Sequence, residues 1–278
     1  MKEYPPVPRV ADAPDDLFEE GHLWLVEYLD GAHLRFRLRE EGFVQFGDRT
    51  QVYRDPDTMP AQYQHAVRHV QEHLDREALR RAVDDVEEVV FFGEAMHHHT
   101  TEYDWERTPS FLGFDVWSAE AGAFRPLDTI ADIFEHLGFD PVNVFERELR
   151  ARDFDPDSYT IPESEWYDGP AAGVVVRNKR GDRAKLLHPD VREAEDPQPV
   201  EATAAQLAAE FATEGRFETV ASTLEAHDRP VTFETLYERT LEHIVRERHG
   251  QLYGDEEVDM KAFRSEVAAL AREFLRER

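Results

Sequence analysis

Three short apolar-rich segments, 22–29, 32–39 and 42–46, are separated by turns at Asp30-Gly31 and Glu41-Gly42. With apolar positions that alternate or run on unbroken, the three segments read as short strands. A helix is expected over 61–83, where Tyr63, Ala66, Val70, Leu74, Leu79 and Val83 recur on one face. Strands are expected at Val89–Glu94 and Phe111–Trp117, and a helix at Leu127–Leu137. After the Asp/Pro-rich loop 153–163, strands at Gly173–Arg177 and Arg183–Leu187 pair through the turn Lys179-Arg180-Gly181-Asp182. The whole reads as a mixed sheet with helical insertions.

The pattern changes at Pro189–Val200, where Pro189, Pro197 and Pro199 stand among acidic residues and mark a linker. Beyond it the periodicity is helical to the last residue. Thr203-Ala-Ala-Gln206 has the form of a capping box, in which a Thr side chain and a Gln side chain satisfy each other's backbone N–H groups. Stripes over Phe233–Val245 and Met260–Phe274 are read as core-facing. The fold class is therefore α+β: a mixed-sheet domain over 1–192 and a small all-helical domain over 193–278.

The formal net charge is −28, from 60 Asp+Glu against 32 Lys+Arg, and only four of the basic residues are lysines. An acidic surface poor in lysine suits concentrated salt, which screens self-repulsion while the charge opposes association. The expected setting is the cytoplasm of a halophilic archaeon. In molar salt counterion release contributes little, so net acidity does not exclude RNA; binding there rests on local arginines, stacking and hydrogen bonds. There is no cysteine, which removes disulfides, thiolate metal sites and cysteine nucleophiles. The opening Met-Lys-Glu-Tyr-Pro-Pro is not of signal-peptide type, and no apolar run approaches a membrane span, so a soluble protein without a membrane partner is expected.

Four blocks carry the chemistry: Tyr28-Leu-Asp30-Gly31 with Arg35-Phe36; Phe91-Phe-Gly-Glu94 with Phe111-Leu-Gly-Phe114-Asp115; Ala172-Gly-Val-Val-Val-Arg177; and Arg183-Ala-Lys185. In order and spacing over roughly 20–190 they resemble the motifs of covalent nucleotidyltransferases, whose sheet domain is an ATP-grasp-like ligase adenylation fold. The helical tail makes the chain most similar to ATP-dependent RNA ligases that seal nicks in duplex RNA. The resemblance implies ATP or AMP as cofactor, Mg²⁺ or Mn²⁺ if the protein is active, and an RNA nick or end as partner. It implies that Asp30 and Gly31 shape the turn after the nucleophile and that Arg35 contacts the nucleotide or the nucleic-acid end. Glu94 is implied to hold the ribose, Phe111 or Phe114 to stack on adenine, and Arg183 and Lys185 to neutralise the α-phosphate.

Three positions depart from that pattern. Tyr28 stands where a lysine amine attacks ATP, Ala172 where a glutamate positions the metal, and Arg183 where the last motif has its first lysine. The arginine still neutralises phosphate, with different geometry. A phenol with an ordinary pKa near 10 is a poor substitute for the amine. Tyr28 and Lys185 are thus the positions on which catalysis turns, and the expected protein is a pseudoenzyme-like RNA ligase that binds nucleotide without forming the usual lysyl-AMP. Two alternatives remain open: a ligase acting on pre-adenylylated ends, and a non-catalytic RNA- or partner-binding module. His97-His98-His99 is read as a solvated loop, or one that touches phosphates near the nucleotide pocket, in preference to one or two of them holding Zn²⁺ or Mn²⁺ with Glu94 or Glu102, and no residue is assigned as a metal ligand.

Overall fold

A computed structural model describes residues 1–14, 16–191, 202–253 and 258–278. By contacts the chain divides into two compact units, Met1–Met96 with Thr100–Glu193, and His97–His99 with Ala194–Arg278. The expected linker 189–200 and the boundary between 192 and 193 fall largely at 192–201, outside the described residues.

The strands of the first unit are β1 (His22–Glu27), β2 (Ala32–Leu38), β3 (Val44–Gly47), β4 (Val89–Ala95), β5 (Phe111–Ser118), β6 (Ala123–Phe124), β7 (Asp140–Pro141), β8 (Val144–Arg150), β9 (Gly173–Asn178) and β10 (Arg183–Leu187). Its helices are α1 (Asp16–Glu19), α2 (Ala61–His73), α3 (Arg76–Ala82) and α4 (Ile130–His136). The strands form two sheets: a four-stranded one in the order β10-β9-β1-β8, and a six-stranded one with the path β3-β2-β4-β5-β6 and β7 parallel to β5.

Alternation along the strands explains how two layers arise. In β2, Leu34, Phe36 and Leu38 point to one face, where they meet Phe91, Phe111 and Phe134 under the helices. His33 and Arg35 point to the other face. β1 lies between β9 and β8, and Leu23–Val26 is buried throughout, as its unbroken apolar run implies. A third cluster, with Val26, Leu29, Met96, Leu112 and Val142, gathers residues of both sheets.

Two differences from the sequence reading have local causes. The helix expected over 61–83 is two helices, because Leu74 leaves helical geometry (ψ 114°) and the Asp75 carboxylate accepts from Ala78 N at 2.8 Å, capping a new helix. β8 was not foreseen: Glu146, Arg147 and Glu148 make it a charged, largely exposed edge strand. A register shift against Leu23–Leu25 and a φ of 58° at Glu148 break its alternation further.

The second unit contains α5 (Ala204–Phe211), α6 (Glu214–Ala226), α7 (Phe233–Leu252) and α8 (Met260–Glu277). The capping box at Thr203 and Gln206 is formed, and Phe211, Phe217, Leu236, Ile244, Phe263 and Val267 are buried. Among the described residues no helix is long and apolar enough to cross a membrane.

Candidate functional site

The Asp30-Gly31 turn carries the chain from β1 in one sheet to β2 in the other. Its geometry is over-determined. The Asp30 carboxylate accepts from the backbone of Thr100 and Thr101, both at 2.9 Å, and from the Thr100 hydroxyl, while Asp30 N donates to Tyr103 Oη at 2.8 Å. Gly31 has no room for a side chain: a Cβ there would lie 2.7 Å from Ala95 O and 2.9 Å from Glu94 Cγ. Glycine is thus required by the close approach of β4, which seats Glu94 beside the turn.

A cavity of about 340 Å³ opens at this turn, within the size range of small-ligand sites, roughly 300–1,000 Å³. From the four-stranded sheet and its flanks it is lined by Val26, Glu27, Tyr28, Val175, Arg177 and Lys185; from the six-stranded side by Gly31, His33, Glu94 and Phe114, with Arg49 and Tyr63 beyond them. Tyr4 and Val7 close part of the wall. The Lys185 ammonium lies 5.6 Å from the centre of the Tyr28 ring.

Of the residues singled out in the sequence, Tyr28, Gly31, Glu94, Phe114 and Lys185 line this cavity. Four do not. Phe111 is fully buried on the opposite face of β5, against Phe36 and Phe139, and is a core residue. Period-2 alternation already sets 111 and 114 on opposite faces, so only one of them can stack in the site. Asp30 is turned into the turn it stabilises. Arg35 is buried, its guanidinium donating to Lys2 O at 2.7 Å. Arg183 is buried with its guanidinium over the Tyr4 ring (4.7 Å) and 3.5 Å from Asp115.

A β-bulge sets the six-stranded wall. Phe92 pairs with Asp115 but Gly93 pairs with Gly113, leaving Phe114 as the extra residue. The bulge brings Phe114 and Asp115 to the same side of the sheet, where strict alternation would separate them. Asp115, fully buried, accepts from Arg177 (2.5 Å), Arg183 (3.5 Å) and Tyr4 Oη (3.0 Å), joining β5 to β9 and β10.

The electrostatics follow from burial. The Glu94 carboxyl is pushed up to about 8 by burial and by the negative Asp30, with Arg49 opposing, so it is largely protonated at neutral pH. His33 is pushed down to about 3 by burial and then by Arg49 and Arg35, so its ring is neutral. Its Nε2 is buried without a hydrogen-bond partner. Burial also raises the Glu27 carboxyl, although Ser164 Oγ (2.6 Å) and Asn143 Nδ2 (3.1 Å) donate to it. Glu27, Arg49, Tyr63 and Tyr4 were missed in the sequence. Glu27 and Arg49 carried a signal, one next to Tyr28 and the other a cation in the turn after β3; Tyr4 and Tyr63 carried none.

Ala172 is buried where the resemblance implies a metal-positioning carboxylate, and no group of three His, Asp or Glu among the described residues can hold a metal ion. The donor set therefore does not fit a divalent ion held by the protein alone. His97–His99 group with the helical unit, where the His97 ring meets that of His249 at 5.0 Å and His98 N donates to Arg246 O.

RNA ligases are among the solved structures that share this fold. An archaeal ATP-dependent RNA ligase (form 1) aligns with a TM-score of 0.50 and 16% identity over 98% of this chain and 63% of that one. A variant of the Naegleria gruberi RNA ligase, solved with ATP and Mn, aligns with a TM-score of 0.53 and 12% identity over 68% of this chain and 56% of that one. The same ligase with PPi gives 0.51 and 14% over 67% and 56%. The chain thus spans less than two thirds of the length of these ligases. No curated protein sequence matches it. The sequence profile of the RNA ligase family, however, matches residues 21–187, which take in the strands, the turn and all of the cavity lining but Tyr4 and Val7, and the chain belongs to the RNA ligase family.

Proposed function

We propose that this chain binds an adenine nucleotide, ATP or AMP, together with an RNA end, and that it does not carry AMP on residue 28. The observation that bears most weight is the division of the cavity. Its six-stranded wall has what a nucleoside needs: the Phe114 ring for stacking, the protonated Glu94 carboxyl to donate to a ribose hydroxyl, and the unpartnered His33 Nε2 for a base edge. Cations for phosphate stand at Lys185 and Arg49. The opposite wall lacks the nucleophile at Tyr28 and the carboxylate at Ala172.

A second reading is favoured by Lys185, which stays in the cavity. A ligase supplied with an already adenylylated RNA end needs a cation at the phosphate and no amine at position 28. The acidic, lysine-poor composition supports action in the salt-rich cytoplasm of a halophile.

The test is incubation of the protein with α-labelled ATP and Mg²⁺ or Mn²⁺ in molar KCl, beside equilibrium binding of AMP. The expected outcome is AMP binding without covalent label. Covalent label on the native chain sinks the claim about residue 28; absence of AMP binding sinks the nucleotide site. Joining of a pre-adenylylated RNA end by the unlabelled protein would select the second reading.

A further inference from the structure

The segment 2–8 crosses the site and puts an aromatic ring into it. Pro8 O accepts from Lys185 N at 2.8 Å, and Arg9 bridges in parallel to Lys185, so this segment runs beside β10. Lys2 stands 4.1 Å over the Trp117 ring, and its carbonyl accepts from Arg35. Between these anchors Tyr4 turns inward. Its ring meets Phe114 edge-on at 5.0 Å and Phe92 at 5.1 Å, and lies 5.6 Å from His33. Its hydroxyl donates to Asp115 at 3.0 Å, and the Arg183 guanidinium covers it at 4.7 Å.

Tyr4 thereby engages the groups that a bound nucleotide would use. Phe114 presents itself to Tyr4, His33 packs on Tyr4, and Arg183 faces Tyr4 and Asp115 instead of the cavity. We propose that residues 2–8 form an autoinhibitory strap whose Tyr4 ring holds the base end of the cavity and leaves it when a purine nucleotide enters. This inference rests on the nucleotide reading given above.

The strap is built to let go. Pro5, Pro6 and Pro8 have no N–H to donate, so strand pairing cannot run along its length. Between the anchors at Lys2 and Pro8 its hold on the site is the Tyr4 side chain, and a segment with few backbone hydrogen bonds opens at lower free-energy cost than a paired strand. The Tyr4 hydroxyl is raised to about 12 by burial, so it stays a neutral donor to Asp115 over the physiological range and the latch is insensitive to pH there. Displacement exchanges one aromatic ring for another on Phe114.

The experiment compares AMP affinity of the full chain with that of Tyr4→Ala and Tyr4→Phe, in molar KCl, and follows amide hydrogen exchange with and without AMP. A strap closed in about nine of ten molecules weakens apparent affinity about 10-fold, so Tyr4→Ala should bind about 10-fold tighter. Tyr4→Phe, which loses only the bond to Asp115, should gain less. AMP should speed exchange in peptides covering 2–8 and at the Lys185 amide of the unmodified chain. Equal or weaker AMP binding by Tyr4→Ala overturns the strap while leaving the nucleotide site standing. No binding by any of the three chains overturns both. Should Tyr4→Ala fail to fold, exchange on the unmodified chain decides: protection of 2–8 by AMP makes Tyr4 a wall of the site and ends the proposal.

Discussion

The two sheets that wall the cavity differ in what they retain. On the six-stranded sheet stand Arg35, Glu94 and Phe114, which carry the resemblance drawn from the sequence, and the turn leading into that sheet holds Asp30 and Gly31. All three departures belong to the four-stranded sheet: Tyr28 just past β1, Ala172 just before β9 and Arg183 in β10. On the function proposed above, one wall recognises the nucleoside and the other is where bond-making groups would stand. Binding and chemistry are separable properties of a site, and here the separation runs along the boundary between two sheets.

The largest expected effect comes from restoring the deficient wall. Tyr28→Lys with Ala172→Glu should turn a chain that takes no label from α-labelled ATP into one labelled to near stoichiometry. Tyr28→Lys alone should react on the order of 100-fold more slowly than the double variant, the scale of losing one electrostatic group at a reacting centre. Gel-resolved label over time measures both. A double variant that binds AMP and still takes no label breaks the comparison, because the deficiency would then extend beyond those two positions.

Next in size is the tie between the walls. Asp115 on β5 meets Arg177 on β9 and Arg183 on β10, all of them buried. Replacing it with Asn leaves two buried guanidinium groups without their carboxylate, a change that costs about 3–5 kcal/mol where such pairs have been broken. Urea unfolding should show this as a lowered midpoint. A paired change, Asp115→Leu with Arg177→Met, should recover part of the loss, since it removes one of the two stranded charges and leaves Arg183 as the other. An Asn variant of unaltered stability would mean that the sheets are held by packing alone.

A smaller loss is expected at the turn. Gly31→Ala places a methyl 2.7 Å from Ala95 O and 2.9 Å from Glu94 Cγ, and overpacking of this kind costs about 1–3 kcal/mol. Because Glu94 is one of the atoms struck, AMP affinity should fall along with the melting temperature. A melting temperature that drops with affinity preserved would show that Glu94 does not touch the ligand.

How far these walls could be read in advance varies with local physics. β1, β2, β4, β5, β9 and β10 were legible because alternation or unbroken apolar runs mark one-sided or two-sided burial. β8 was not, since an edge strand carrying Glu146, Arg147 and Glu148 has no hydrophobic face to betray it. In the site, motif spacing led to Tyr28, Gly31, Glu94, Phe114 and Lys185, which the fold brings together. It could not tell a residue that faces the cavity from one that supports it, as with Asp30, Arg35 and Arg183. That distinction depends on partners far away in sequence, Thr100 for Asp30 and Tyr4 for Arg183. Phe111 was decidable from alternation relative to Phe114. Tyr4 belongs to no motif, and only the tertiary fold places it against Phe114.

The smallest effect sharpens the comparison by titrating the intact wall. Burial, followed by the charge of Asp30, raises Glu94 from 4.5 to about 8, and Arg49 pulls the other way. Between pH 4.5 and 8 the folded chain therefore keeps a proton that the unfolded chain has released, so this group's contribution to stability declines as pH rises across that window. Glu94→Gln carries no charge in either state. Its advantage over the native chain should be absent near pH 4.5, grow through neutrality and level off above pH 8. Arg49→Ala, which removes the opposing charge, should move the upper end of the window to higher pH. Urea unfolding of the three proteins across this pH range measures all of it. A Gln advantage that does not vary with pH would mean that Glu94 titrates as an ordinary surface acid, and the recognition wall would then present a carboxylate, not a hydrogen-bond donor, to the ribose.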